Sequence, residues 1–149
     1  MSPNAHLIRP APLLRRLAAA LYDSLLVIAL WFLLGFVALI FTGGQAVPAR
    51  HPLFLVVIWG TTALFFVVFW TRGGQTLGMR AWRLQVRRAD GAGPMTTGWA
   101  VLRLIWAVPS WLLGGIGLWL MLFDPQRRTL HDRLSGTEVI LVPPPRPTP

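Results

Sequence analysis

The sequence predicts an all-α integral membrane protein with two full transmembrane helices, a third broken or re-entrant hydrophobic segment, and a small cytoplasmic two-stranded element. Three observations lead to this fold class. Of the 149 residues, 54% are apolar and 13% are charged, a low charged fraction for a soluble protein. Two apolar runs reach the length of about 20 residues that a bilayer crossing requires. Eight tryptophans and eight phenylalanines suit the aromatic belts of membrane interfaces.

The first span is expected to follow a short leader. Residues 1–13 contain three prolines and are predicted to be irregular. Arg15 and Arg16 then mark the headgroup level, and the span runs from about Leu17 to Phe41. No small-residue cleavage site follows, and the run is too long for a signal-peptide core, so the sequence favours a retained anchor.

The second span runs from about Leu53 to Trp70 and is followed by a polar stretch. In that stretch, residues 75–82 are predicted to form a short interfacial helix. Residues 84–88 and 137–142 have strand-like patterns. We expect these two strands to pair, since an unpaired strand beside a membrane would leave its backbone donors without acceptors.

The third hydrophobic segment extends from Gly98 to Phe123 and is interrupted by Arg103, Pro109 and the glycines of 114–117. It is too short for two crossings of about 20 residues each. The prediction is therefore a shallow or re-entrant hairpin that bends near 109–117 and returns the chain to the cytoplasmic side. The membrane domain then covers 14–142, and the proline-rich residues 143–149 form a disordered tail.

The charge distribution predicts the orientation and the partners. The 14 basic residues are all arginine and cluster at the ends of apolar segments. This placement favours the lipid bilayer and its anionic headgroups as partners and excludes nucleic acid. The arginine-rich connection after the second span should be cytoplasmic. We expect a multi-pass protein of the bacterial inner membrane with both termini in the cytoplasm.

Asp23 is the most informative residue, because a carboxylate inside an apolar span costs roughly 2.5–3.5 kcal/mol. Arg16 precedes it by two helical turns, about 10 Å along the axis, which is too far for a direct ion pair within one helix. Arg103 is the other charge embedded in an apolar segment. We expect Asp23 and Arg103 to face each other or to share a water-bridged network.

Two interpretations are open for each of these charges. Asp23 is either a titratable group that binds a cation or a proton, or one half of a structural ion pair. Arg16 is either an anchor at the phosphate level, which is slightly favoured, or a second charge in a network centred on Asp23. Arg16, Asp23 and Arg103 are thus the candidate ligand-, ion- or proton-binding residues.

Three motifs stand out along the chain. They are Arg16 with Asp23, the segment Gly74–Arg80 (GQTLGMR), and the segment Phe123–Thr137 (FDPQRRTLHDRLSGT). Together they resemble the RDD family of small membrane proteins. The resemblance covers about 14–142. It implies Arg16 and Asp23 as family residues, with Asp132 as the preferred second aspartate and Asp124 as its alternative. Met79 departs from the family, where a basic residue is common. The resemblance also implies a role in transport, including cation/proton exchange.

The remaining polar residues favour structural roles. Asp132 is expected to bond Arg80 or Arg133, or to cap backbone donors, and Gln75 is expected to belong to a tight connection. Asp124 and Arg80 are further structural candidates. His131 has no second histidine at metal-ligand spacing, so no metal site is predicted. The chain has no cysteine and no phosphate-binding loop or nucleophile elbow. We expect neither a cofactor nor an enzyme.

The sequence thus supports two functions. One is transport of a small ligand, or cation/proton exchange, with Asp23 as the coupling group. The alternative is a non-catalytic assembly or regulatory module in which Asp23 forms a structural ion pair. Two spans and a hairpin cannot enclose a pathway alone, so a homo-oligomer or a membrane partner is expected.

Overall fold

A computed structural model describes residues 9–112 and 115–143, without the side chains of Ile116 and Leu118. The predicted proline-rich tail lies outside the described residues except at Pro143. The elements in chain order are α1 (Leu13–Phe41), α2 (Pro52–Gly73), α3 (Leu77–Ala81), β1 (Leu84–Arg88), α4 (Thr97–Leu112), α5 (Ile116–Trp119), a 3-10 turn (Leu120–Leu122), α6 (Leu130–Leu134) and β2 (Thr137–Leu141).

The two long helices match the two predicted spans. In the described part of the chain, α1 and α2 are the two helices long and apolar enough to cross a membrane. At 1.5 Å per residue, α1 is about 43 Å long, which exceeds the roughly 30 Å hydrocarbon core of a bilayer. Large side chains such as Phe32, Phe36 and Trp59 remain exposed on these helices. An apolar surface of this kind requires an apolar environment.

A small layer of strands and short helices packs at the N-terminal end of α1. The strands β1 and β2 pair in antiparallel register, from Leu84 opposite Leu141 to Arg88 opposite Thr137. The predicted pairing is therefore confirmed, as is the short helix within 75–82, which is α3. The leader differs from the prediction. Its residues 9–11 lie along β2, where the Ala11 amide donates to the Val139 carbonyl at 3.1 Å.

The apolar core lies where this layer meets the helices. Alternate residues of each strand point inward, as a half-buried sheet requires. The buried cluster contains Ala11, Ala19, Trp70, Met79, Leu84, Val86, Met95, Ala100 and Val139. Because it joins the leader, four helices and both strands, this core fixes the N-terminal part of α1 against the layer.

The third apolar segment contains α4, α5 and the 3-10 turn. The helix α4 has 16 residues, about 24 Å at the usual rise, so it is shorter than a bilayer core. Pro109 lies inside α4 without ending it. Beyond the helix, Gly117 lies so close to Ser110 that a Cβ at position 117 would overlap the serine hydroxyl. The chain therefore turns back along α4 before it reaches α6.

Candidate functional site

Asp132 is the centre of a buried charge cluster between three helices. Its side chain is fully buried. The Nη1 atom of Arg16 in α1 donates to Asp132 Oδ2 at 2.5 Å, and Nη1 of Arg103 in α4 donates to Oδ1. The Thr129 amide also donates to Oδ2 at 3.1 Å, as half of a capping box at the start of α6. One carboxylate thus links α1, α4 and α6.

The two arginines are held by further acceptors. Arg16 Nη2 donates to the carbonyl oxygens of Arg127 at 3.0 Å and of Val139 at 3.3 Å. Arg103 Nη1 donates to Thr137 Oγ1 at 2.6 Å, and its guanidinium carbon lies 5.2 Å from the ring centroid of Trp70, within cation–π distance. Such fixed geometry is what a buried ion cluster needs to offset its desolvation.

The cluster strongly favours one set of protonation states. Burial opposes ionisation of Asp132, but the guanidinium groups of Arg103 and Arg16 outweigh it and hold the pKa of this carboxyl well below its usual range. Burial first, and then Arg103, lower the pKa of the neighbouring His131 to about 3. The imidazole, whose Nδ1 lies 3.1 Å from Ser110 Oγ, is therefore neutral at neutral pH. Two arginines and one carboxylate leave the cluster with one surplus positive charge.

Asp23 lies outside this cluster and has neutral partners. Thr76 Oγ1 donates to its Oδ2 at 2.5 Å, and the Gly78 amide donates to its Oδ1 at 2.8 Å. Asp23 is 4% exposed. No ion pair in the described part of the chain includes it. A buried carboxylate without a counter-ion is costly when it is ionised.

The close approach of α3 to α1 depends on Gly78. A Cβ at this position would overlap the carbonyl oxygen of Ala19 and lie 2.9 Å from Asp23 Cγ. Only glycine lets the first turn of α3 present its amide to the carboxylate. The motif GQTLGMR thus supplies both donors to Asp23, through Thr76 and Gly78.

A cavity of about 610 Å³ lies beside Asp23 and the two arginines of the charge cluster. It lies between α1, α2 and α4. Its inner end is lined by Arg16, Asp23, Thr76, Arg103, Thr129 and His131. Its outer end is lined by apolar groups that include Trp59, Val108 and Trp111. Pockets of this size hold small molecules rather than single waters.

The expected direct pairing of Asp23 with Arg103 is wrong, since Arg103 binds Asp132 instead. Both residues line the same cavity, so the structure brings them to one site without an ion pair. The ion-pair form of the alternative function is therefore also wrong for Asp23. Sequence spacing could not reveal this, because Asp132 reaches α4 only after the chain turns back.

The favoured interpretation of Arg16 as a headgroup anchor is also wrong. Its side chain is 7% exposed and points into the protein. Arg16 belongs to a charge network, as its second interpretation proposed, but that network is centred on Asp132 and not on Asp23. Asp132 caps backbone donors as expected, whereas its arginine partners are Arg16 and Arg103 instead of Arg80 or Arg133.

The remaining candidates lie outside the charge cluster. Asp124 accepts from the Arg128 amide at 2.7 Å, which makes it a loop residue and not a partner of Arg16. Gln75 donates to the Leu84 carbonyl at 2.7 Å and holds the connection to β1. Arg80 is exposed and forms no ion pair within the described ranges. Among the described residues, no group of three or more His, Cys, Asp and Glu side chains could hold a metal.

One family model and one curated relative are similar to this chain. The sequence model of the RDD family matches residues 10–136, which include both aspartates and both arginines. An uncharacterized protein of Rickettsia prowazekii (strain Madrid E) is 28% identical over 95 residues, covering 61% of this chain and 53% of that protein. The chain thus spans about half the length of this relative. No solved structure matches. Because the family match covers most of the chain, this protein belongs to the RDD family, a family of small membrane proteins.

Proposed function

We propose that this protein transports a small ligand or exchanges a cation for a proton across a membrane, with Asp23 as the binding group. One observation carries the proposal. Asp23 is a buried carboxylate that lines a cavity and has no cationic partner among the described residues. A carboxylate in an apolar span is usually retained for such a role. The role is transport or ligand binding rather than catalysis.

The different partners of the two aspartates support Asp23, and not Asp132, as the binding group. Asp132 is saturated by two guanidinium groups and a backbone amide, so it has little capacity to exchange a cation. Asp23 receives one hydroxyl and one amide hydrogen bond. A carboxylate has about four acceptor positions. Two of those positions therefore remain for a proton, a cation or a donor on a ligand.

A structural role is the alternative, and Gly78 is the observation that favours it. Asp23 joins α1 to α3 through two hydrogen bonds, and the glycine has the close packing of a permanent contact. In that case Asp23 acts as a clamp in an assembly or regulatory module. Asp23→Asn discriminates the two roles, because the amide keeps an acceptor for Gly78 while it removes the charge.

The setting we propose is the bacterial inner membrane, with α1 and α2 crossing it and the strand layer in the cytoplasm. Five arginines lie between positions 72 and 88, which supports a cytoplasmic location for β1 under the positive-inside rule. Two crossing helices and a broken third segment do not surround the cavity. We therefore propose a second copy of the chain, or another membrane protein, as the element that completes a pathway.

The test is proton flux driven by a gradient of Na⁺ or K⁺ in proteoliposomes that contain a pH-sensitive dye. We expect native protein to show cation-dependent flux and Asp23→Asn to lose it. Asp90→Asn is the matched control, since Asp90 is an exposed turn residue outside the cavity, and it should keep the native rate. Folded Asp23→Asn protein with native flux would reject Asp23 as the coupling group and favour the clamp.

A further inference from the structure

The cavity has two chemically different ends, and this limits what can fill it. The inner end carries the charges of Asp23, Arg16 and Arg103, whereas the outer end is lined by aromatic and aliphatic groups. An inorganic ion would occupy the inner end and leave the outer end empty. A hydrocarbon chain alone would leave the inner charges without polar partners. Only an amphiphile matches both ends.

The outer end of the cavity is open along α4. Three of its lining residues, Val108, Trp111 and Leu112, are 53%, 50% and 80% exposed. On the α2 side, by contrast, Trp31 of α1 donates to Thr62 Oγ1 at 2.8 Å and closes the gap between α1 and α2. Within the described residues, no hydrogen bond joins α1 to α4 directly. A hydrocarbon chain can therefore leave the cavity between α1 and α4.

The inner end of the cavity carries charges of both signs. Asp23 of α1 contributes a carboxylate, which has only neutral partners. Arg16 of α1 and Arg103 of α4 share the single carboxylate of Asp132, which leaves one positive charge in excess. A ligand with one charge would satisfy only one of these two signs.

We propose that the cavity binds a glycerophospholipid with a zwitterionic primary-ammonium headgroup. The ammonium donates to the Asp23 carboxylate, the phosphate lies on the Arg103 side, and the acyl chains leave between α1 and α4. This inference rests on the proposed function, because it names the ligand class of the same Asp23 site. A headgroup of this kind places both of its charges against the opposite charges of the protein.

The experiment is native mass spectrometry of the delipidated protein in detergent. The protein is incubated with equal amounts of dioleoyl-phosphatidylethanolamine and dioleoyl-phosphatidylglycerol, and in a second arm with dioleoyl-phosphatidylcholine. We expect one ethanolamine lipid per chain, retained about tenfold over the glycerol lipid, as one charge-assisted hydrogen bond predicts. The choline lipid has the same charges but no ammonium N–H, so it should be retained less than the ethanolamine lipid. Equal retention of the three lipids overturns the proposal.

Two substitutions test whether the lipid binds in the cavity. Asp23→Asn should lower retention of the ethanolamine lipid to the level of the glycerol lipid. Ala20 lines the cavity, so Ala20→Phe should lower retention by filling it, whereas Ala29→Phe, at an exposed position of the same helix, should not. Native retention in Ala20→Phe protein would place the lipid elsewhere and contradict the proposal.

The outcomes separate this inference from the proposed function. If flux depends on Asp23 but the protein shows no headgroup preference, the transport proposal is supported and the lipid site is rejected. If the headgroup preference depends on Asp23 but the protein shows no flux, the lipid site is supported and transport is rejected.

Discussion

At the scale of single residues, the two buried aspartates differ in what surrounds them. Asp132 meets two guanidinium groups, and removing one member of such a cluster leaves an uncompensated buried charge. Asp23 meets a hydroxyl and an amide. The sequence identified Asp23, Arg16 and Arg103 because charges in apolar runs are conspicuous. It could not identify their partners, because Arg16 and Asp132 are 116 positions apart.

Thr76, Gly78, Thr129 and Thr137 are site residues that sequence reasoning undervalued. Thr129 had a readable signal, since Thr129-x-x-Asp132 is the spacing of a capping box. Thr76 and Gly78 lie in the GQTLGMR motif, but only the fold shows that their donors reach Asp23. Thr137 was identified only as the start of a strand, and its hydroxyl bond to Arg103 depends on the return of the chain.

His131 gives a pH dependence of stability. Its pKa is about 3 in the folded protein, lowered by burial and by Arg103 and Arg16 against the opposing effect of Asp132, and about 6.5 when unfolded. Between these pH values the unfolded chain binds more protons, so the free energy of unfolding falls as pH is lowered. We expect the free energy of unfolding to fall by about 2 kcal/mol from pH 7.5 to pH 5. The slope is at most about 1.4 kcal/mol per pH unit.

Chemical unfolding in detergent at the two pH values measures this loss. His131→Gln should flatten the dependence, and His51→Gln, at an exposed position, should retain it. Asp132 does not contribute in this window, because a carboxyl with a lowered pKa loses its stabilising effect only below its unfolded value of about 3.9. A native protein equally stable at pH 7.5 and pH 5 would show that His131 is not buried as the structure has it.

At the scale of elements, local patterns predicted the two long helices, the short helix α3 and both strands. Strands β1 and β2 were expected to pair because each otherwise lacked a backbone partner, and their inward residues, such as Val86 and Val139, then fix the register. The leader was misjudged because prolines suggested an irregular segment. Pro10 nevertheless bridges to Ile140, since proline is tolerated at the edge of a sheet, where its missing donor is not needed.

A broken or re-entrant third segment was a prediction from its length, Pro109 and the glycines of 114–117, and the packing of this segment was not predicted. The close contact of Gly117 with Ser110 brings α6 back to α4 and so places Asp132 beside Arg103. This return is the step that sequence reasoning lacked. Arg103 was expected to pair with Asp23 because buried charges were sought only in the first and third segments. Asp132 lies outside both segments, so it was missed as the partner of Arg103.

At the scale of the whole molecule, the account predicts opposite sides for the α1–α2 connection and the turn after β1. The chain has no cysteine, so single cysteines can report on each side. In intact cells, Ala49→Cys should react with a membrane-impermeant maleimide, because the proposed orientation places this connection outside. Ala92→Cys, also at an exposed position, should react only after the membrane is permeabilised. Reaction of Ala92→Cys in intact cells would invert the proposed orientation.

The central claim is that Asp132 holds the molecule together while Asp23 is available for a ligand. The most direct measurement is the free energy of unfolding of Asp132→Asn and Asp23→Asn protein in the same detergent. We predict a loss of about 3–5 kcal/mol for Asp132→Asn, because two buried guanidinium groups lose their counter-ion. For Asp23→Asn we predict about 1 kcal/mol, because the amide still offers an acceptor to Gly78 and no counter-ion among the described residues loses its partner. Equal losses, or the larger loss at Asp23, would contradict the account.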